Sequence, residues 1–401
     1  VGAILTLYWI LTYTHYGIDF TDEAFYLIWI ANPFIYDYSL SQFGYIYHPL
    51  HVIFNGDIAA LRKINILLTF GLTWGLVFFI LRSTIGQEKT KKIDSVCIAA
   101  GVSTCSLIYF DYWLPTPSYN SLTLQALLIT SIGLIQANKS TSIESIIGWL
   151  TIGLGGWLTF MAKPSSALLL AAVAITYLKA SGKLSISMLP LAICTALALL
   201  WGSAILIDGS MAKFGERLLT GIEFAQYLGG GHTVSSIFRL DNLTVTKKLD
   251  SAIFIIFLAS LIGTWGALSY ARIGFFISCS ISILFFSLTI LISLETFQEN
   301  FEVSQNQELV LWGVLFSALL TSIIYKRGHA LKTSTPLQWS SLLLFCAMPY
   351  VYAFGTTNNY WQIGGYVAIF WVIAGLTMLA PIAQKKEDGL LSRQWCLLVK
   401  P

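Results

Sequence analysis

Asp19, Asp22 and Glu23 crowd three carboxylates into the segment Gly17-Ile18-Asp19-Phe20-Thr21-Asp22-Glu23-Ala24-Phe25-Tyr26, in a chain of 401 residues that is 56% hydrophobic and 11% charged. An apolar stretch precedes the segment, so the cluster falls at the edge of what reads as a membrane. Like charges repel, and a low-dielectric boundary makes their crowding costlier unless a cation, a metal or an acceptor hydroxyl uses them. Desolvation and a like-charged neighbour are also what turn a carboxylate into a competent base near neutral pH. Asp22 is therefore the candidate general base, with Glu23 as an orienting group or metal ligand. The competing explanation is a helix N-terminus, where acidic residues complement the dipole and Thr21 or Asp22 caps the turn.

Other segments carry groups that complement such a base. Asp111 opens Asp111-Tyr112-Trp113-Leu114-Pro115-Thr116-Pro117-Ser118-Tyr119-Asn120, a loop stiffened by two prolines, and joins Asp22 and Glu23 as a catalytic candidate. With them it forms the only set that suggests a divalent metal, magnesium or manganese, although no full oxygen-ligand constellation is visible. Lys163, before Pro164, is a cation at a helix end, suited to a phosphate and equally able to snorkel to the interface. Tyr26, His48, Arg217, His232 and Arg239 are further substrate-contact candidates. His48 lies in His48-Pro49-Leu50-His51 and His232 follows Gly229-Gly230-Gly231, contexts that equally suit loop histidines; Arg217 and Arg239 equally suit a solvated face. Thr357-Asn358-Asn359-Tyr360 has turn chemistry first.

Apolar runs position these groups. A mean hydropathy of +0.72 with 13 Trp, 19 Tyr and 25 Phe excludes a soluble globule. Runs near 1–16, 64–81, 94–110, 119–137, 145–161, 165–178, 184–207, 251–270, 273–294, 309–325, 339–354 and 363–383 predict an all-α, polytopic transmembrane bundle of about 12 spans. It reads as one domain over 1–401, with a first outer loop 17–63, a large outer loop 208–250 and a cytosolic tail 384–401. Aromatics in the first loop suit two helices lying on the membrane surface. The chain begins abruptly at Val1, so its numbering could start inside a longer precursor, and no signal peptide is assigned.

Lys and Arg set the sides. With the start inside, most of the 23 basic residues, among them Arg82, Lys89, Lys91, Lys92, Lys326, Arg327, Lys385 and Lys386, face the cytosol. Asp22, Asp111, Lys163 and Arg217 then all face the periplasm, lumen or exterior. This depends on a chain reversal at Lys163-Pro164, since one continuous helix would flip every later side. The 6 cysteines lie within spans or, for Cys396, in the tail, with no zinc or disulfide spacing. No basic, aromatic-interleaved patch points to nucleic acid.

Asp22-Glu23-Ala24-Phe25-Tyr26 in a long first outer loop resembles the Asp-Glu-x-x-Tyr sequence of the GT-C superfamily of integral-membrane glycosyltransferases, specifically the protein O-mannosyltransferase and aminoarabinose-transferase type. Asp111 opening the next outer loop and Lys163 at an outer helix end support the resemblance, which covers roughly residues 1 to 180. It implies a GT-C-like fold, a polyprenyl-phosphate-linked sugar donor, inversion at the anomeric carbon, and a glycan, lipid or protein acceptor. It further implies an active site on the non-cytosolic side of a bacterial inner membrane or plasma membrane, with the endoplasmic reticulum as the alternative compartment. Two other functions fit the same chain: a glycan ligase or polymerase working through the 208–250 loop, and a polytopic transporter or flippase. The latter would need ionisable groups or broken helices within the spans, which are nearly devoid of them.

Overall fold

The structure, a computed structural model, describes residues 1–84, 92–227, 318, 334–355 and 367–384. Among these residues every regular element is helical. In chain order they are α1 (Gly2–Thr12), continued by a 3-10 turn Tyr13–His15, α2 (Asp22–Ala31), α3 (Phe43–Ile53), α4 (Ile58–Thr84), α5 (Lys92–Ser103) and a 3-10 segment Thr104–Ile108 leading into α6 (Tyr109–Tyr112). Then follow α7 (Tyr119–Gln136), α8 (Ile143–Ala162), α9 (Pro164–Ala180), α10 (Leu189–Asp208), α11 (Met211–Tyr227), α12 (Pro336–Ala353) and α13 (Ala368–Gln384).

Nine of the runs predicted from hydropathy coincide with these helices; those at 251–270, 273–294 and 309–325 lie outside the described residues, apart from Ala318. Among the described residues three helices, Ile58–Ser83, Ile143–Ala162 and Leu189–Asp208, are long and apolar enough to cross a membrane. Shorter apolar helices run over Ile93–Ile108, Pro164–Ala180 and Ala368–Ala380.

Local chemistry fixes the helix ends. Ser118 caps α7 by accepting from the Ser121 backbone N–H while the Ser121 hydroxyl accepts from Ser118 N–H, a reciprocal box. Ser142 caps α8 and Thr335 caps α12, the latter reciprocally with Gln338. Pro164 starts α9, where its missing N–H costs nothing. Gly209, with φ of 73°, takes the left-handed position that ends α10 and turns the chain into α11.

The reversal expected at Lys163-Pro164 is present. Lys163 is extended (φ −147°, ψ 101°) between α8 and α9. Near the start of α8, the Trp149 indole donates to Asn138 O just beyond α7, and beyond the end of α9 the Lys183 ammonium donates to Leu134 and Ile135 O in α7. Both outer ends of the pair therefore meet the same end of α7, so α8 and α9 run antiparallel and Lys163 sits at the opposite end.

Helices in lipid gain little from burying apolar area against each other, so close contact must supply the attraction. Between α7 and α8 glycine provides it: a Cβ on Gly148 would stand 2.6 Å from Ala137 N, and one on Gly133 2.7 Å from Ile152 N. The main core joins α4, α7, α8, α9, α12 and α13 around Trp149, Leu127, Phe345, Phe370 and Tyr352. A second cluster of Tyr26, Trp29, Ile30, Phe43, Tyr47, Leu61, Leu122 and Ala162 seats α2 and α3 on the ends of α4, α7 and α8. The candidate carboxylates stand on that platform.

Candidate functional site

The three carboxylates of the first loop do three different things. Asp19 caps α2: its Oδ1 accepts from Thr21 N (2.9 Å), Thr21 Oγ1 (2.6 Å) and, at 3.4 Å, Glu23 N. The Thr21 hydroxyl and these amides hold the Asp19 carboxyl below its ordinary range. The capping role anticipated for Thr21 or Asp22 thus belongs to Asp19, whose side chain reaches forward over the first turn. Thr21 occupies the N-cap position with no side-chain capping bond of its own.

Glu23 is 1% exposed and fully engaged. Its Oε2 accepts from Asp19 N at 2.9 Å, and its Oε1 accepts from Arg62 Nε at 2.9 Å and Nη2 at 2.6 Å and from the Thr116 hydroxyl. The Arg62 guanidinium, near the start of α4, also donates through Nη1 to Thr14 O (2.8 Å) and Tyr16 O (3.2 Å) and through Nη2 to Gly17 O (2.8 Å). Its fork is thereby filled, and one buried cation ties the end of α1, the first turn of α2 and the 115–117 loop to α4. Glu23 is placed as an anchor for this clamp. With both oxygens occupied, it is poorly disposed to take a proton or bind a metal.

Asp22 differs from both neighbours. It occupies the first position of α2, is exposed, and its side chain has no hydrogen-bond or ion-pair partner among the described residues. Its charge acts on the hydroxyls of Tyr26 and Tyr119, which also interact with each other. The two rings meet edge-to-face with centroids 5.8 Å apart. Burial, then Tyr119 and Asp22, push the Tyr26 phenol far above its ordinary value, so it stays protonated and able to donate.

Lys163 stands over the Tyr119 ring. Its ammonium sits 5.3 Å from the Tyr119 ring centroid and 4.6 Å from that of Tyr352, and its one hydrogen bond is a long one, 3.5 Å, to Tyr352 O. It is 7% exposed and no carboxylate pairs with it among the described residues. Desolvation alone holds this amine down to about 7. Desolvated cation–π contacts are worth about 2 kcal/mol or more each, whereas burying an ion costs several. The cage lowers the cost of the charge without cancelling it, which leaves the amine suited to an incoming anion. Snorkelling to open water does not describe so buried a group.

The remaining candidates divide between structure and absence. Arg217 is 5% exposed and grips Asp208 through Nε (3.0 and 2.8 Å) and Nη2 (2.7 Å), while Nη1 donates to Tyr36 O at 2.5 Å. It binds the start of the large outer loop, helical as α11, to the first loop; Gly221 lets α11 press on Ser39 and Leu40, where a Cβ would stand 2.6 Å from Ser39 C. His48 is half-buried and donates from Nδ1 to Ile30 O at 2.8 Å, pinning α3 to α2. The backbone of Asp111 lies in α6, but its side chain, like His232, Arg239 and Thr357 to Tyr360, lies outside the described residues. Among the described residues no three His, Cys, Asp or Glu side chains converge as a metal site. A cleft of about 390 Å³ lined by Thr14, His15, Gly17, Ile18, Ile58, Ala59 and Arg62 contains none of Asp22, Tyr119 or Lys163.

No role was assigned from the sequence to Arg62, Thr116, Tyr119 or Tyr352. Arg62, next to Lys63, could have been found as an Arg at the head of a long apolar run, a position that demands a partner. Tyr352 carried no signal, because its approach to Lys163 depends on α9 packing on α12. The segments that carry Glu23, Thr116, Lys163 and Arg217 meet in the fold: Glu23 meets Thr116, Gln42 N donates to Met161 O beside Lys163 at 2.6 Å, and Tyr36 O meets Arg217. The chain matches no protein-family model, no curated protein and no solved structure.

Proposed function

We propose that this chain is an inverting membrane glycosyltransferase that moves a sugar from a polyprenyl-phosphate-linked donor to an acceptor hydroxyl or similar group. The observation that carries the proposal is that Tyr119 joins two groups with no ion-pair partner among the described residues: the exposed carboxylate of Asp22, which acts on its hydroxyl, and the buried ammonium of Lys163, which stands over its ring. In the reaction the acceptor oxygen attacks the anomeric carbon and its proton passes to Asp22. The bond from that carbon to the phosphate oxygen breaks on the opposite face, and polyprenyl phosphate departs carrying the electron pair. A phosphate is already a weak base, so its departure needs a cation, the role given to Lys163, and no acid. Asp111 is kept as an orienting group.

Exposed apolar side chains around α2 and α3, including Phe20, Phe34, Ile35 and Ile53, suit helices lying on a membrane surface where a lipid-linked donor arrives. The proposal places the site on the non-cytosolic face of a multi-pass GT-C-like bundle in a cell-envelope membrane. The commitment of Arg217 to Asp208 speaks against the ligase or polymerase alternative, which needs that guanidinium free.

The test is sugar release and transfer by purified full chain in detergent from polyprenyl-phosphate mannose and glucose, with Asp22→Asn beside wild type. Asparagine keeps shape and hydrogen-bonding capacity but loses the basic lone pair, so turnover should fall by roughly 10² to 10⁴, with thermal stability unchanged. Near-normal turnover would overturn the assignment of the base, and binding of the lipid without any turnover would favour a transporter or flippase.

A further inference from the structure

The proposed base and the proposed phosphate contact do not touch, yet one side chain meets the influence of both. Tyr119 presents its ring face to Lys163 at 5.3 Å, while its hydroxyl interacts with that of Tyr26 and senses Asp22. Its own position is tightly determined. It is the first residue of α7, behind the Ser118–Ser121 capping box and the Pro115 and Pro117 loop, whose Pro115 carbonyl is held by Asn65 Nδ2 at 2.8 Å. Phe43 meets the ring at 6.0 Å and Tyr26 at 5.8 Å, both edge-on. The Tyr119 ring can shift little without moving the amine, the Tyr26 hydroxyl or both.

We propose that Tyr119 is a positioning residue that sets the spacing between the carboxylate that accepts the proton and the ammonium that receives the departing phosphate. This rests on the glycosyl-transfer reading above. The two halves of the side chain then have separable consequences. The hydroxyl serves the base side through Tyr26 and Asp22. The ring face serves the anion side by holding Lys163 in place.

Tyr119→Phe deletes the hydroxyl and keeps the face; Tyr119→Leu deletes both. Two measurements separate the effects: affinity for undecaprenyl phosphate alone, read by intrinsic tryptophan fluorescence, and kcat with polyprenyl-phosphate mannose or glucose. Tyr119→Phe should bind undecaprenyl phosphate as wild type does while kcat falls about fivefold, the worth of one neutral hydrogen bond. Tyr119→Leu should lose about tenfold in affinity as well, the worth of a desolvated cation–π contact. Equal effects of both variants on both measurements, or no effect on either, would overturn the positioning role while Asp22→Asn and Lys163→Ala remain impaired. If those two control variants turn over normally, the glycosyl-transfer reading itself fails and the inference fails with it. Hydrogen exchange of α7 in each variant reports folding independently, and a variant whose α7 has lost protection is replaced by Tyr119→His, which keeps a ring face and must reproduce the affinity of Tyr119→Phe.

Discussion

Removing Arg62 should loosen the first loop without unfolding the bundle. Glu23 is 1% exposed and Arg62 4%, so either one left alone is a buried, uncompensated charge, a defect that costs about 3–5 kcal/mol. The carbonyls of Thr14, Tyr16 and Gly17 lose donors as well, but Tyr16 and Gly17 are exposed and water replaces Arg62 there. About 4 kcal/mol is therefore expected for Arg62→Ala, close to a thousandfold in a local opening equilibrium. Glu23→Gln keeps an acceptor for Arg62 and Thr116 but leaves the Arg62 charge uncompensated and turns an NH2 donor toward Asp19 N, so it should also cost about 3–5 kcal/mol. The paired change Arg62→Met with Glu23→Leu removes both charges together and should regain most of the loss, because a matched apolar pair avoids the desolvation penalty. Hydrogen exchange of amides 14–31 in detergent-solubilised full chain reads the opening directly. Protection within threefold of wild type in Arg62→Ala, or a double variant worse than both singles, would refute the clamp as described.

Lys163 yields a prediction with a sign. Its amine is held at about 7, below the ordinary lysine value, so the empty site carries a charge below pH 7 and loses it above. Affinity for undecaprenyl phosphate should therefore fall by up to about tenfold per pH unit above 7 in wild type and stay level in Lys163→Arg, as fluorescence titrations would show. At pH 6, Lys163→Ala should bind about 10- to 100-fold more weakly, the worth of a charge-assisted contact. For the sides of the membrane, cysteines placed at the exposed positions Asn55 and Lys213 should react with an impermeant maleimide in intact cells, and one at Ser140 should not. The exposed native Cys97 and Cys194 must first be replaced. Labelling of Ser140→Cys from outside would reverse the sidedness.

What the sequence made legible follows the range of the interactions involved. Apolar runs located α4, α7, α8, α9, α10 and α12 because the hydropathy of a helix is encoded in its own residues, and Pro164 marked the α8–α9 break because proline acts locally. Pairing across elements was not legible. Glu23 and Asp22 are adjacent and chemically alike, yet the helical turn of about 100° between them sends one inward to Arg62 and leaves the other at the surface. That choice depends on Arg62 39 residues later and Thr116 93 residues later, so nothing in the local pattern distinguishes the two. Arg217 was read as available for a phosphate for the same reason: its partner Asp208 lies 9 residues away across the α10–α11 turn at Gly209.

The distribution of partners itself argues for where the work is done. At this end of the bundle, Glu23 and Arg62 neutralise one another, as do Asp208 and Arg217, and Asp19 spends its charge on capping α2. A buried lysine without a counter-ion is destabilising by several kcal/mol beside a tightly packed leucine, whereas Asp22 is exposed in the first turn of α2, where an anion complements the helix dipole. Among the described residues neither Asp22 nor Lys163 has an ion-pair partner, and both act on Tyr119. In the proposed reaction a ligand presents negative charge to Lys163 and a hydrogen-bonding proton to Asp22, as a glycosyl phosphate meeting an acceptor hydroxyl does.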